Sequence, residues 1–365
     1  MQTPISASAK PASPASLEPS PSLHATSASS HTLSNYSAVR LIMISGAALA
    51  ALLLAGFIVP KWLVSLGTIA LANGLVSLGI LIMMRSGVVP FGQGLVFAAG
   101  GYAAALAFNK MGFTDILGLS LLGGVCGLLV AAPFAPLLAR YRGIFFAMLT
   151  LALSMVLYGV LVKTEALGGS DGFNVSQPTL FGMKAPQGQS QLLLWCVTAS
   201  ISCVLAALVR VYCDSRRGLL SMAVRENELR VEYLGQSVVN IVAWNYVIAA
   251  VLGGVGGALS VMALGHIDPN FSYWTTSGEF VFVAILAGHQ SVVAILAGSF
   301  LLELVRSFSS AYFPNTWQFA LGLFLLLVIR FLPEGLGSLA DRFKPKLKAT
   351  PQAKAQSETP SNVRV

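Results

Sequence analysis

An all-α bundle that crosses a membrane repeatedly is the fold this sequence predicts, on three observations. First, 55% of the 365 residues are hydrophobic and 10% charged, where soluble chains carry about 25% charged. Second, the apolar residues fall into runs near the roughly 20 needed to span a bilayer as helix. Third, the few charges are gathered rather than spread: nine lie between Arg210 and Glu232. Mean hydropathy is +0.76.

The apolar runs cover 41–59, 63–84, 88–108, 116–139, 143–162, 192–209, 238–265, 274–312 and 317–332. Each is expected to be helical, because an unpaired backbone group in lipid costs several kcal/mol. The glycine-rich stretches at 118–127 and 251–260 would let neighbouring backbones approach closely. Residues 1–36, dominated by Ser, Ala and Pro, read as a solvated disordered tail, and the basic stretch 341–365 as another. The transmembrane domain is then 37–340. No basic-then-apolar opening or small-residue cleavage site marks a secretory signal.

Several function classes find no support. A net charge of +8 suits cytoplasmic loops of a membrane protein better than nucleic acid. Cys126, Cys196, Cys203 and Cys213 have no CxxC spacing, and His24, His31, His266 and His289 are scattered, so neither a metal site nor a catalytic constellation is expected. No glycine precedes a lysine, which excludes the phosphate loop that cradles ATP.

Orientation follows from Lys and Arg, which favour the cytoplasmic side. With the N-terminus inside, alternate loops place Arg85, Arg140, Arg142 and the Arg210–Arg230 group inside, and Lys61, Lys110, Lys163 and Lys184 outside. The basic residues at 341–348 should also be inside. Parity then requires 274–312 to cross twice, turning near 288–291, for ten crossings with both termini cytoplasmic. The first arm of that hairpin is short, so a broken or re-entrant element, with eight full spans, stays open.

Five of the eight residues from Arg225 to Glu232 are charged; at about 2.5–3.5 kcal/mol per charge at a helix centre this piece is no span. Its pattern is nonetheless helical. Leu220, Ala223, Asn227, Val231 and Leu234 share a face over 218–234, Glu226 can pair with Arg230, and Gly235 stands where a left-handed cap ends a helix. Charge pattern alone allows a solvated linker or a docking helix within a cytoplasmic loop at 210–237.

The same stretch, "AVRENELRVEYLG" at 223–235, resembles the A-[IV]-R-E-[ND]-E-x-A-A-E-x-x-G loop of LivM-type permeases, membrane subunits of branched-chain amino-acid ABC importers. "LANGLVSLGILIMMRSGVVPFGQGLVFAAGGYAAAL" at 71–106 is similar to another family stretch, with Asn73, Ser86, Gly87, Phe91, Gly92 and Tyr102 in register. So are "RGIFFAMLTLAL" at 142–153, "LGGSDGF" at 167–173 and "FLPEGL" at 331–336. The chain departs from the family at Gln93, which replaces a His, at Pro90, which replaces a Ser, and at Arg230 and Val231, which replace an Ala pair.

The resemblance implies a type II ABC-importer permease with 8–10 transmembrane segments in a bacterial inner membrane. It would form the pathway for a branched-chain amino acid or a related amide, urea or aromatic acid. The implied partners are a second, LivH-like permease, two cytoplasmic ATPases that bind the ATP and Mg, and a periplasmic binding protein; no cofactor belongs to this chain. Arg225, Glu226, Asn227, Glu228, Glu232 and Gly235 are the candidate ATPase contacts. Asn73, Ser77, Gln93, Thr150 and Ser154, polar groups inside apolar runs, are pathway candidates, although such groups also bond helices together. Gly168, Gly169, Ser170, Asp171 and Gly172 belong to the external loop 163–191.

The alternative is a secondary transporter or channel without ATPase partners. Such carriers place ionisable residues deep in spans. Glu279, Glu303, Arg306 and Arg330 are expected near segment ends or beside the hairpin, which argues against that alternative.

Overall fold

The computed structural model describes residue 43 and residues 45–180, 189–288, 291–331 and 335–337. The tails 1–36 and 341–365, Lys184, the turn residues His289 and Gln290, and part of "FLPEGL" lie outside the described residues. The chain divides into the units Met1–Ile44 and Ser45–Val365, and every element named here belongs to the second.

Twelve helices carry the described fold. They are α1 Ser45–Ile58, α2 Lys61–Arg85, α3 Gln93–Met111, α4 Ile116–Leu138, α5 Gly143–Lys163, α6 Ser190–Asp214, α7 Arg216–Glu226, α8 Glu228–Tyr233, α9 Val238–Leu264, α10 Trp274–Ala287, α11 Val292–Tyr312 and α12 Trp317–Phe331. Of these, α2, α4, α5, α6, α9 and α11 are long and apolar enough to cross a membrane by length and composition. A two-stranded antiparallel ribbon, β1 Phe173–Asn174 with β2 His266–Ile267, joins the α5–α6 connection to the end of α9.

The core is organised around α2 and α9. Most of both helices is buried, whereas α5 buries only Phe146, Thr150, Ser154 and Leu161. The glycines of α9 make this packing possible. A side chain at Gly254 would enter Gly123 O and approach Gly127 Cα at 3.2 Å; one at Gly257 would enter the Phe97 carbonyl of α3. Close approach of this kind supplies van der Waals contact where lipid leaves no hydrophobic gain between helices.

Three sequence expectations change. The run 88–108 does not begin as helix at 88. A turn at Ser86–Gly87, with Gly87 at φ 80, leads into a non-helical stretch that lasts until Gly92 caps α3. Pro90 explains this, since it has no N–H and drives the preceding residue out of the helical region. The run 274–312 does break at Gly288, into α10 and α11. At 14 residues α10 is only about 21 Å long by the helical rise, short of the ~30 Å hydrocarbon layer. The chain entering it dips inward: Ser272 O accepts from Ser154 Oγ at 2.7 Å, close to the midpoint of α5. The first arm is therefore the broken element allowed by the sequence.

The third change concerns the charged stretch, which is two helices rather than one over 218–234. Asn227, at φ −161 and ψ 103, leaves the helical region and accepts from Arg230 N at 3.0 Å as the N-cap of α8, a role Asn favours. The buried face is Gly218, Ser221, Val224 and Val231. Of the five residues expected there only Val231 is buried; Leu220 and Ala223 are intermediate, and Asn227 and Leu234 are exposed. Gly235 ends α8 as expected, at φ 78, with its N–H on Glu232 O at 2.8 Å and Gln236 N–H on Val231 O at 3.2 Å.

Candidate functional site

The α7–α8 pair is anchored from beneath and open above. Ser215 caps α7 through Gly218 N. A hydrogen-bond chain runs under the helix: Tyr212 OH donates to Asn245 Oδ1 at 2.6 Å, and Asn245 Nδ2 donates to Ser221 Oγ at 2.9 Å. Arg217 lies over the Trp244 ring at 5.4 Å. Val224 and Val231 sink into a cluster with Leu138, Phe146, Val242 and Tyr246, each worth about 1.5–3 kcal/mol when fully buried.

Glu228 receives Arg142 Nε at 2.7 Å, and Arg142 also donates to Ala139 O and Tyr141 O. Arg142 thus ties α8 to the turn between α4 and α5. The Glu226–Arg230 pair expected on a continuous helix does not form, because the break at Asn227 takes the two residues out of one helical register.

Arg225, Glu226, Asn227, Glu232 and Gly235 are all exposed, and Glu228 is intermediate. Sequence reasoning missed their apolar neighbours. Tyr233 is 88% and Leu234 72% exposed, with Leu229 also exposed. A charged helix that presents large apolar side chains to water has the chemistry of a protein contact. The signal available was Asn227 itself: reading it as a cap rather than a helical residue turns Leu234 outward.

Stretches distant in sequence converge on this pair. Gly87 backs onto α7, so that a Cβ placed there would lie 3.4 Å from Arg225 Cα. At the far end of segment 86–92, Phe91 N donates to Thr150 Oγ1 at 3.2 Å, and a side chain at Gly92 would enter the Thr150 carbonyl. Gly94 N then donates to Ser277 Oγ at 2.9 Å. The segment physically joins the charged helices to a buried polar seam at the start of α3.

That seam holds three of the pathway candidates. Thr150 and Ser154 are fully buried and hydrogen-bonded, Thr150 to Ala147 O at 2.8 Å and Ser154 to Ser272 O. Gln93 is different. It is 1% exposed, and neither its Oε1 nor its Nε2 meets a hydrogen-bonding group among the described residues. The other two candidates lie in α2, where Ser77 donates to Asn73 O at 3.1 Å and to Phe280 O at 3.3 Å. Ser77, Thr150 and Ser154 act as bonds within and between helices.

Gly168 to Gly172 form stacked turns. Gly168, Gly169 and Gly172 all have positive φ, Gly172 N–H donates to Gly168 O at 3.1 Å, and Ser170 donates to Asp171 at 3.0 Å. Gly172 passes so close to Ile267 O that no side chain fits. The ribbon continues from it and is reinforced by His266 on Asn174 at 2.8 Å.

The ionisable residues correct another expectation. Asn73 is the central residue of α2, and Glu303 is one past the midpoint of α11. Glu279 accepts from Arg306 at 2.8 Å, joining α10 to α11. Arg330 alone stays near a helix end. Glu279 and Glu303 are deep because α10 starts only at Trp274 and α11 runs on from Val292 to Tyr312. The argument against an ion-coupled carrier from shallow charges therefore lapses.

Long apolar helices around a glycine-packed centre, with a charged helix pair anchored against them, define a multi-pass membrane protein. The chain belongs to the family described as branched-chain amino acid transport system / permease component, whose model matches residues 62–330. It is similar to the high-affinity branched-chain amino acid transport system permease protein LivM of Salmonella typhimurium, 24% identical, covering 80% of this chain and 73% of the relative. The Escherichia coli LivM gives the same figures. BraD of Pseudomonas aeruginosa is 26% identical over 68% of this chain and 86% of its own length. No solved structure matches.

Proposed function

We propose that this chain is one permease subunit of an ABC importer in a bacterial inner membrane, moving a branched-chain amino acid or a closely related amide inward. Two ATPases on the cytoplasmic side bind ATP and Mg and close against α7 and α8. A LivH-like permease completes the pathway, and a periplasmic binding protein delivers solute to the side that carries Gly168–Gly172. Both termini are cytoplasmic, and the chain itself binds no cofactor and catalyses no reaction.

One observation supports this reading most: the α7–α8 pair is bonded firmly to α2, α4, α5, α6 and α9 yet presents Arg225, Glu226, Glu232, Tyr233 and Leu234 outward. A surface of that kind transmits force only if its anchor is stiff. Displacement of α7 would move Gly87, and through segment 86–92 the first turn of α3. Displacement of α8 would pull Arg142 and the start of α5. Both routes meet at Gly92 and Thr150.

The test is reconstitution of the chain with its companion permease, ATPases and binding protein in proteoliposomes. Leucine is expected to accumulate above its external concentration only with both ATPases present and ATP on their side. Uphill uptake by the two permeases alone, driven by a proton or sodium gradient, would overturn the reading in favour of a secondary transporter.

A further inference from the structure

The charges of α6, of α9 and of the first two turns of α7 are Arg210, Asp214, Arg216 and Arg217. Asp214 is held by Arg210 at 3.1 Å. Among the described residues neither the Arg216 nor the Arg217 guanidinium meets a carboxylate or another hydrogen-bond acceptor. Both residues are exposed. Arg217 lies over the Trp244 ring at 5.4 Å, and a guanidinium stacked on an aromatic face keeps its in-plane N–H donors free. Two unpaired cations therefore occupy successive positions at the joint between α6 and α7.

The same joint lies at the edge of the lipid. Val204, Leu208 and Val211 form an exposed apolar stripe along α6 that leads down to it. Leu219, on the same side of α7 as Arg216, is exposed as well. Trp244, more than half exposed, is the seventh residue of α9, about 9 Å from its start by the helical rise. At 27 residues α9 is about 40 Å long, about 10 Å more than the hydrocarbon layer. With that surplus shared between its ends, Trp244 falls about 4 Å inside the boundary, the level that Trp favours. The bond from Tyr212 to Asn245 at 2.6 Å fixes the last turn of α6 at this height.

We propose that Arg216 and Arg217, flanked by Trp244, seat the phosphate of one anionic phospholipid of the cytoplasmic leaflet, whose acyl chains lie along Val204, Leu208 and Val211. This rests on the orientation given above, with α7 on the cytoplasmic side. Guanidinium forks match phosphate oxygens, and the stripe on α6 offers apolar cover to acyl chains rather than to a soluble acidic protein. The acids Glu226, Glu228 and Glu232 lie at or beyond the last residue of α7, so they do not face the phosphate. A lipid held there braces the first turn of α7, and coupling to the ATPases then depends on anionic lipid.

The experiment titrates the purified full complex in detergent with phosphatidylglycerol and, separately, with phosphatidylcholine, and counts retained lipid by native mass spectrometry. The wild type should retain phosphatidylglycerol in preference. Arg216→Gln with Arg217→Gln should lower that preference by about fivefold for each arginine removed, whereas Arg216→Lys with Arg217→Lys should keep most of it. No preference in the wild type, or the same preference in the glutamine variant, would overturn the seat. Displacement by glycerol 3-phosphate would overturn it in favour of a soluble phosphate ligand, and loss of an ATPase or of the companion permease from the glutamine variant in favour of a protein contact. If the glutamine variant cannot be extracted as a folded chain, Arg216→Gln alone decides, because that side chain makes no ion pair or hydrogen bond among the described residues; an unchanged preference counts against the seat. In nanodiscs, exchange of phosphatidylglycerol for phosphatidylcholine should lower transport-coupled ATP hydrolysis more in the wild type than in Arg216→Gln, and equal lowering would overturn the link to coupling. A complex that holds phosphatidylglycerol through these arginines yet never couples ATP hydrolysis to uptake overturns the importer reading and leaves the seat standing. One that couples normally, with retention indifferent to the arginines, overturns the seat alone.

Discussion

Gly254→Val is expected to abolish recovery of folded protein, whereas Gly278→Ala should leave it unchanged. At Gly254 the neighbours of any new side chain are the Gly123 carbonyl and carbon, and Gly127 Cα at 3.2 Å. A rotamer change cannot relieve a clash with backbone, so α4 and α9 must separate. Overpacking typically costs about 1–3 kcal/mol; with backbone on both sides the cost should exceed about 3 kcal/mol. Separation would also strip Gly100 of α3 from its contact with Gly254, so the loss reaches three helices. Gly278, on α10, has nothing within 4 Å of an added Cβ. Fluorescence size-exclusion after detergent extraction reads the difference as loss of the monodisperse peak for Gly254→Val only.

The second large effect is on coupling. Glu226→Lys with Glu228→Lys is expected to abolish transport-coupled ATP hydrolysis in the reconstituted complex, with little change in thermal stability. The stability argument rests on exposure. The Arg142–Glu228 pair keeps 28% and 42% of its side chains in water, and pairs this exposed contribute about 0–1 kcal/mol. The fold is carried instead by Val224, Val231 and the Tyr212–Asn245–Ser221 chain, which the double change does not touch. Coupling is more sensitive, because the reversal sets a cation at 228 against Arg142 and inverts the outward charge beside Tyr233 and Leu234. Normal coupling in the double variant would show that α7 and α8 are a passive linker.

Much of this architecture was legible in the sequence. Apolar runs gave the helices because backbone in lipid has one local solution, and the glycines at 118–127 and 251–260 announced close packing without showing that α4 and α9 meet through them. Gly235 announced its cap, since a residue at positive φ after an apolar-periodic run has few other roles. The break at Asn227 was hidden because Asn also fits the three- and four-residue spacing of the face. A capping side chain and a helical one differ by a backbone rotation that spacing does not record. That single rotation decided whether Leu234 was core or exposed.

The convergence of Gly87 with Arg225, and of Arg142 with Glu228, was also invisible. Each contact is long-range, and each partner reads alone as a loop residue. Glu303 escaped for a different reason. The turn near 288–291 was expected, but the depth of Glu303 was not, because it depends on α11 running from Val292 to Tyr312. Which face of each segment is exposed is a matter of packing.

The account turns on α7–α8 being the surface that a cytoplasmic ATPase engages. The most direct measurement is labelling of Glu226→Cys, in a chain with Cys126, Cys196, Cys203 and Cys213 replaced, by a membrane-impermeant maleimide. Inverted vesicles should label, right-side-out vesicles should not, and bound ATPase subunits should protect the site. Labelling from the outer side, or labelling that bound ATPases leave unchanged, would contradict it.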